Sequence, residues 1–377
     1  MSIAVIIPVY NGEGYLRRTL ESVFSQTRRP EEVIVIDDGS SDASLAIAKT
    51  FDGLTILTNP DKGANSARQF GIQQSTADNI AFLDQDDIWH PAHLRLLSQA
   101  LDQFPDSAAA FGHCTHFYFD RERLFSSPAD DFQRFDPWQM FPTNSVATPS
   151  AALIRRQALA RIGGWPIHLV GCADVYTWYR LGTDRTLVKN RSATVGYRKH
   201  GNSMSMSLRS QKFQTYFDNL TRAMQDALTR RLTVDNRQAQ RLQKRLGTVA
   251  ILPRLVAAIG NSEPALLRAA ATEFEESLAG EPEDFICSMC NLLLFFMYPH
   301  LTQKPALDNV LLAWPRSTPQ STPQTSKLLL RNIVASRVFL QQLMAHPFDR
   351  LLWSALIHNQ TLLKEKSLQY FSRYQFS

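Results

Sequence analysis

The chain has 377 residues, of which 44% are apolar and 20% are charged, and its mean hydropathy is -0.22. This composition is typical of a globular protein with room for two or three domains, and it excludes a fibrous or disordered chain. The net charge is +5, and the basic excess lies in residues 209–377, which carry 20 Lys and Arg against 13 Asp and Glu.

Short β-branched runs alternate with amphipathic stretches over the first hundred residues. Strands are predicted over Ile3–Ile7, Val33–Ile36, Leu54–Leu57 and Ile80–Leu83. Helices are predicted over Gly14–Ser25, Ala43–Phe51, Ala64–Gln74 and Pro91–Phe104. Alternation of strands and helices is typical of a mostly parallel sheet flanked by helices, so the predicted fold class is α/β.

The pattern then becomes less regular. An aromatic strand is predicted over Ala108–Phe119, followed by a Phe-, Asp- and Pro-rich loop over Phe125–Pro149. A loop of this length indicates a functional role. A strand and a helix follow over Ala151–Ile162, then a helix over Asp174–Leu181 and a basic strand that ends near His200.

Helical periodicity dominates beyond residue 209. Helices are predicted over Gln211–Leu232, Arg237–Ile259, Pro264–Leu278, Ile286–Tyr298 and Leu328–Met344, and a polar linker over 315–326. We therefore expect a first domain over residues 1–208 and a mainly α-helical region over 209–377. The sequence leaves the role of that region open between acceptor binding, oligomer formation and docking near membrane-bound saccharide intermediates.

Several features bear on location and partners. No apolar run reaches the roughly 18 to 20 residues of a membrane-spanning helix, and the four cysteines are too few for a disulfide framework. Cys287 and Cys290 lack a second pair for zinc. With no leader pattern at its start, the chain is expected in the cytoplasm. The basic segment 209–245 would suit an anionic membrane surface at the inner face or a phosphorylated substrate, whereas no motif predicts nucleic-acid binding.

Acidic side chains follow two of the predicted strands. Asp37 and Asp38 come after the second strand, and Asp84, Asp86 and Asp87 after the fourth. Ligands of open α/β sheets bind beyond the carboxyl ends of the strands, so these carboxylates are expected at one edge, where their repulsion calls for a cation. Mn²⁺ and Mg²⁺ prefer oxygen ligands and take further ligands from substrate phosphates. The sequence therefore predicts a divalent-metal site that binds a nucleoside diphosphate.

Five separated segments carry a family resemblance. They read Val5-Ile-Ile-Pro-Val-Tyr-Asn11, Leu20-Glu-Ser-Val-Phe-Ser-Gln-Thr27, Glu32-Val-Ile-Val-Ile-Asp-Asp-Gly-Ser-Ser-Asp42, Gly63-x-x-x-Ala67-Arg68 and Phe82-Leu-Asp-Gln-Asp-Asp87. In this order and spacing they are similar to the family 2 glycosyltransferases, inverting enzymes with the GT-A fold that use nucleotide-sugar donors. The resemblance covers about residues 1–208. It implies metal-dependent sugar transfer to a hydroxyl on a saccharide or lipid-linked acceptor, in polysaccharide, glycan or glycolipid assembly.

The resemblance also implies which residues meet the nucleotide. The residues expected to line or touch it are Pro8, Val9, Tyr10, Asn11 and Arg68. Asp37 or Asp38 would hold the base, often through a uracil imide, so a UDP-sugar is favoured. The segment Asp84-Gln85-Asp86 resembles the Asp-x-Asp element of the family, in which one carboxylate meets the ribose and the other, here Asp86, binds the metal. Asp87 would support them.

A metal ligand and a base complete the implied site. His200 lies in a segment resembling the one that closes many family 2 sites, so it joins Asp86 and Asp84 as a candidate ligand of Mn²⁺ or Mg²⁺. Inverting transfer needs a general base for the acceptor hydroxyl. Asp174 is the candidate, because it follows the Gly-Gly-Trp segment ending at Trp165 at the usual family distance. The sequence departs from the family at Ala173, where glutamate is common.

Two rival functions remain. A nucleotidyltransferase shares a related sheet and an acidic metal site, but its glycine-rich, lysine-bearing phosphate loop is absent after the first strand. A nucleotide-sugar-binding or scaffold protein whose catalysis has lapsed is the alternative from another class. Ala173 is the feature that points to it.

Overall fold

The computed structural model describes residues 1–117, 125–142, 144, 146–200, 213–234, 238–260 and 264–282, together with four positions between 285 and 293. The strands are β1 Ile3–Val9, β2 Glu32–Asp37, β3 Thr55–Thr58, β4 Asn79–Phe82, β5 Ile88–Trp89, β6 Ser107–Phe117, β7 Phe132–Phe135, β8 Ala152–Arg155 and β9 Thr186–Arg198. The helices are α1 Leu16–Phe24, α2 Ser44–Ala48, α3 Ala64–Gln74, α4 His93–Gln103, α5 Arg156–Arg161, α6 Ala173–Leu181, α7 Phe213–Val234, α8 Ala239–Gly260 and α9 Pro264–Leu278. Two 3₁₀ turns lie at Pro137–Met140 and Pro149–Ala151.

The strands form one mixed sheet. Their order is β3-β2-β1-β4-β8-β6-β9-β5, and β7 pairs with β9. The first four strands run parallel, β8 is antiparallel to both of its neighbours, and β5 and β7 are antiparallel to β9. The chain leaves β1 toward β2 on one side and returns to β4 on the other. The carboxyl ends of these three strands therefore open onto one crevice, where ligands of such sheets bind.

The core of the sheet surrounds β1. All seven residues of β1 and all four of β4 are buried, as expected for parallel strands covered on both faces. Helix α1 buries Leu16, Leu20 and Val23, which share one face of the helix. Helix α3 packs against β1 so closely that Gly71 leaves no room for a side chain beside Ile6. This packing positions the residues that follow β1 and β4.

The structure confirms the four strands and four helices predicted in the first hundred residues, with shifts at their ends. The segment Phe125–Pro149 is not wholly a loop, because it contains β7 and the first 3₁₀ turn. The sequence analysis also missed β5, since two residues give no periodic signal. The reversed direction of β8 has no signature in the strand's own residues, because direction depends on the connection before it.

The chain divides into two compact units, Met1–Gly201 with Arg222–Arg237, and Asn202–Thr221 with Gln238–Ser377. The domain boundary at residue 208 stays a prediction. The helices predicted over Gln211–Leu232, Arg237–Ile259 and Pro264–Leu278 correspond to α7, α8 and α9.

In the second unit, α8 and α9 pack against each other. Glu281 is almost fully buried and forms ion pairs with Arg241 at 3.2 Å and Arg245 at 2.7 Å. Among the helices that the structure describes, none has the length and apolar character needed to cross a membrane. The polar linker, the two last predicted helices, Cys287 and Cys290 lie largely or wholly outside the described residues.

Replacing Gly71 by Ala is expected to lower the free energy of unfolding by about 1 to 3 kcal/mol. The new Cβ would lie 2.5 Å from Cγ2 of Ile6, so α3 and β1 would have to separate. Gly14→Ala is the matched control, because a Cβ there meets nothing within 4 Å. Urea unfolding measures both variants. Equal losses of stability would contradict the close packing of α3 on β1.

Candidate active site

The residues predicted to line a nucleotide lie at the end of β1. Pro8 and Val9 are the last two residues of the strand and are paired with Ile36 and Asp37 of β2. Tyr10 follows them, and its side chain is 56% exposed. Pro8 and Val9 are buried, so Tyr10 is the accessible residue of these three.

The loops after β1 and β2 are tied together by hydrogen bonds. Asn11 has a left-handed backbone with a φ of 49°, which asparagine tolerates better than most residues. Its Oδ1 accepts from the Ser41 N–H at 2.8 Å, and its own N–H donates to Oγ of Ser40 at 3.1 Å. The Gly12 N–H donates to Oγ of Ser44 at 2.8 Å. These bonds hold both loops in one arrangement.

The two aspartates predicted to hold a base differ in exposure and in partners. Asp37 is 5% exposed, and its carboxylate accepts from the Ser40 N–H at 3.1 Å. Asp38 is less buried. Its carboxylate accepts from the Gly63 N–H at 2.9 Å and from Nδ2 of Asn59 at 2.7 Å. Asp38 therefore holds the loop between β3 and α3, and it is the more accessible of the two.

Arg68 is buried on α3 and forms an ion pair with Asp84. Its Nη1 donates to Oδ1 of Asn65 at 3.3 Å, and its guanidinium carbon lies 5.4 Å from a ring centre of Trp165. Trp165 in turn donates from Nε1 to Oδ1 of Asn65 at 3.0 Å. The Gly-Gly-Trp segment therefore supports the arginine that neutralises Asp84.

Gln85 joins the acidic turn to the end of β1. Its Oε1 accepts from the Tyr10 N–H at 2.8 Å, and its Nε2 donates to the Tyr10 carbonyl at 3.0 Å. The amide thus pairs with the Tyr10 main chain as a neighbouring strand would. A Cβ on Gly12 would lie 2.5 Å from Oε1 of Gln85, so glycine is needed for this close approach.

Asp86 and His200 meet directly. Nε2 of His200 lies 2.7 Å from Oδ2 of Asp86, and both side chains are partly exposed. The His200 ring lies 4.7 Å from the ring of Tyr15, and the Asp86 carbonyl accepts from Nε of Arg198 at 2.9 Å. The end of β9 is therefore fastened to the acidic turn, and two of the predicted metal ligands are adjacent.

Asp87 is fully buried behind this pair. Its Oδ2 accepts from Oγ of Ser150 at 2.6 Å and from Oγ1 of Thr148 at 3.3 Å, and its Oδ1 accepts from the Arg198 N–H at 3.1 Å. Burial raises the pKa of Asp87 well above its usual range, and the charges of Asp86 and Asp84 raise it further. The structure compensates with donated hydrogen bonds, as a buried carboxyl group requires.

Asp174 lies in the first turn of α6. Nδ2 of Asn144 donates to its Oδ2 at 3.0 Å. Burial raises the pKa of Asp174 to about 6, while the Val175 N–H, Asn144 and the charge of Arg68 lower it and the charge of Asp84 raises it. The charges of Arg68 and Asp84 thus act on the carboxyl group of the predicted base in opposite directions. Ala173, the departure from the family pattern, is buried.

The sequence analysis missed Asn144, Thr148 and Ser150. All three lie in or directly after the connection that it singled out as a functional loop. Thr148 and Ser150 could have been found from the sequence, because they flank Pro149. Small hydroxyl residues beside a proline are typical of turns whose side chains form local hydrogen bonds. Nothing local indicates that Asn144 meets a residue 30 positions away.

Comparison with known proteins assigns a family to the first part of the chain. Residues 4–163 match the model described as Glycosyl transferase family 2. This segment belongs to family 2.

Relatives of the family 2 segment are named glycosyltransferases or polysaccharide proteins. Glycosyltransferase AglE of Haloferax volcanii is 30% identical over 190 residues, which cover 48% of this chain and 61% of AglE. Succinoglycan biosynthesis protein ExoW of Rhizobium meliloti is 39% identical over 110 residues, covering 27% of this chain and 34% of ExoW. The alignments with these two relatives thus span less than two thirds of their length.

Solved structures of S. aureus TarS resemble the chain in fold. The crystal structure of TarS 1-349 has a TM-score of 0.52 at 16% identity, and its complex with UDP-GlcNAc has a TM-score of 0.55 at 17% identity. Both comparisons cover 84% of this chain and 91% of the TarS chain. The GT-A fold predicted for the family 2 segment, followed by a helical region, is confirmed.

The side chains of the candidate site partly fit a divalent cation. Asp86 and His200 offer an oxygen and a nitrogen ligand side by side. Across the part of the chain that the structure describes, no group of three or more His, Cys, Asp or Glu side chains could hold a metal ion. Two protein ligands suit an ion that takes its remaining ligands from phosphates.

Replacing Ser150 by Ala is expected to lower the free energy of unfolding by about 1 to 3 kcal/mol. The change removes the 2.6 Å hydrogen bond to buried Asp87 and the acceptor of the Asp84 N–H. Ser98→Ala is the control, because Ser98 bonds only its own helix at the Leu94 carbonyl. Chemical denaturation compares the two variants. A loss for Ser150→Ala no larger than for Ser98→Ala would contradict the assigned support of Asp87.

Proposed function

We propose that this chain is a metal-dependent inverting glycosyltransferase that moves a sugar from a nucleotide-diphosphate sugar to a hydroxyl acceptor. The observation that carries the proposal is the acidic turn Asp84–Asp87, which lies at the carboxyl end of β4 inside the family 2 segment. His200, beyond that segment, contacts Asp86 of this turn. A crevice at this position is where ligands of such sheets bind.

A UDP-sugar is the donor we favour. The exposed ring of Tyr10 and the accessible carboxylate of Asp38 lie on loops that are fixed to each other and to α3. An aromatic face suits stacking on a base, and a carboxylate suits the N–H of a uracil imide. The TarS structure solved with UDP-GlcNAc, although similar in fold alone, supports the same donor class.

Mn²⁺ or Mg²⁺ is the proposed cofactor, held by Asp86 and His200. Asp84 is the weaker ligand candidate, because its carboxylate is already paired with Arg68. Bound there, the cation would neutralise charge on the diphosphate leaving group. Arg68 and the hydrogen bonds on Asp87 keep the other carboxylates compensated, so that the turn can present Asp86 toward the phosphates.

Asp174 is the proposed general base for the acceptor hydroxyl. Its partly buried carboxyl group has a pKa of about 6, so it is mostly ionised at pH 7 and able to accept a proton. The acceptor class we propose is a saccharide or lipid-linked saccharide in polysaccharide or glycan assembly, which the name of ExoW supports. A cytoplasmic site of action with peripheral contact at the inner face of a membrane is part of this proposal and rests on the sequence alone.

Release of UDP from UDP-GlcNAc and other UDP-sugars with Mn²⁺ tests the proposal against the rival of lapsed catalysis. A transferase releases UDP with water or an added saccharide as acceptor, whereas a lapsed protein binds the nucleotide without turnover. Binding to a panel of UDP-, GDP- and dTDP-sugars, with Mn²⁺ and with chelator, identifies the donor class.

Asp86→Ala is expected to abolish the metal dependence of UDP binding, because Asp86 is the carboxylate open to the cation. Calorimetry with Mn²⁺ and with chelator measures the effect. The parent protein should bind UDP more tightly with Mn²⁺, and the variant equally weakly in both conditions. Asp102→Ala, on the exposed side of α4, is the control that removes one carboxylate elsewhere. Equal UDP affinity of the parent with metal and with chelator would rule out the metal role.

Asp174→Asn is expected to reduce turnover by about 100- to 10,000-fold, the usual contribution of a general base. UDP affinity and metal dependence should stay close to the parental values, since the change keeps the size of the side chain and acts on the transition state.

The parent's turnover should also depend on pH. The base works in its ionised form, so turnover should be full above about pH 7 and fall as the pH decreases through about 6. Steady-state rates of UDP release from pH 5 to 8 measure this limb. Near-parental turnover of Asp174→Asn would assign the base to another residue.

A further inference from the structure

We propose that Asn144 is a positioning residue for the base: its side-chain amide orients the Asp174 carboxylate and stabilises its charge. The inference rests on the proposed function, in which Asp174 takes the acceptor proton. Asn144 itself reaches the reaction only through Asp174.

Two hydrogen bonds fix the orientation of the Asn144 amide. Nδ2 donates to Oδ2 of Asp174 at 3.0 Å, and Oδ1 accepts from the Val146 N–H at 3.0 Å. The flipped amide would set its oxygen against the carboxylate and its NH₂ against the Val146 N–H, so both contacts would be repulsive. The amide therefore has one favourable orientation, and in it a donor faces the base.

A hydrogen-bond donor at Oδ2 of Asp174 stabilises the ionised form of this carboxyl group. Arg68 on α3 favours the Asp174 carboxylate, Asp84 after β4 disfavours it, and Cys172 lies just before Asp174 on the chain. Burial disfavours the charge more strongly than any of these groups. A neutral amide donor stabilises the carboxylate without becoming a competing proton acceptor.

The segment that carries Asn144 also supports the acidic turn. Thr148 and Ser150, four and six residues further on, hold Asp87. One short connection thus contacts both the proposed base and the proposed phosphate-binding turn.

Two variants of Asn144 distinguish orientation of the Asp174 carboxylate from a purely structural role. Asn144→Asp has the same shape and can still accept from the Val146 N–H, but it sets a carboxylate against Asp174. Asn144→Ala removes both bonds. Gln99→Glu makes the same amide-to-carboxylate change on an exposed face of α4 and serves as the control.

The direct measurement is carbon-13 NMR of aspartate carboxyl groups in the full chain, with the Asp174 signal identified by its loss in Asp174→Asn. We expect the pKa of Asp174 to rise in Asn144→Ala, to rise further in Asn144→Asp, and to stay unchanged in Gln99→Glu. The acid limb of UDP release from UDP-GlcNAc with Mn²⁺ should move to higher pH by the same amount. The KM for UDP-GlcNAc should stay parental, and kcat at high pH should partly recover in Asn144→Ala.

An unchanged Asp174 pKa in both Asn144 variants would overturn the inference, even if their activity fell. So would a parental pH profile in Asn144→Asp. If the pKa shifts appeared but the parent protein released no UDP at any pH, the contact would be upheld and the proposed transferase function would fail. The two failures are therefore distinguishable.

Discussion

Three aspartate side chains lie within the four residues Asp84–Asp87, which follow β4. Asp87 is fully buried and the other two are partly exposed, so their mutual repulsion must be compensated by the protein. The structure gives each of them a different partner. Asp84 has an arginine, Asp86 has a histidine, and Asp87 has two hydroxyl groups and a main-chain N–H. Burying these polar groups without hydrogen-bonding or charged partners would be unfavourable.

This constraint connects parts of the chain that are far apart in sequence. The arginine comes from α3, and the histidine lies two residues beyond β9. The hydroxyls come from the residue before the second 3₁₀ turn and from a residue within it. Gln85, between the carboxylates, pairs with the main chain beyond β1. The acidic turn thus contacts residues from the beginning, the middle and the end of the sheet-forming part of the chain.

Patterns within short segments of the sequence predicted the first four strands and the acidic residues next to them. The strands β1, β2 and β4 are apolar, mostly buried runs. The aspartates at the end of β2 and after β4 stand out because they form clusters of like charge next to these runs. The side chains that pair with these acidic residues could not be predicted in the same way. The pairing of Arg68 with Asp84 and of Asn144 with Asp174 depends on long-range folding, and neither residue carries a local signature of its partner. The difference in exposure and hydrogen bonding between Asp37 and Asp38 likewise has no local signature in the sequence.

The separation between Asp87 and its donor at Arg198 is 111 residues. On a ribosome that adds about 5 to 20 residues per second, the aspartate emerges on the order of 5 to 20 seconds before that donor exists. Throughout this delay the carboxylate is better solvated by water than by an incomplete protein interior. Closure of the crevice is therefore a late event in the synthesis of the chain, and the first strands must stay soluble while their acidic end remains open.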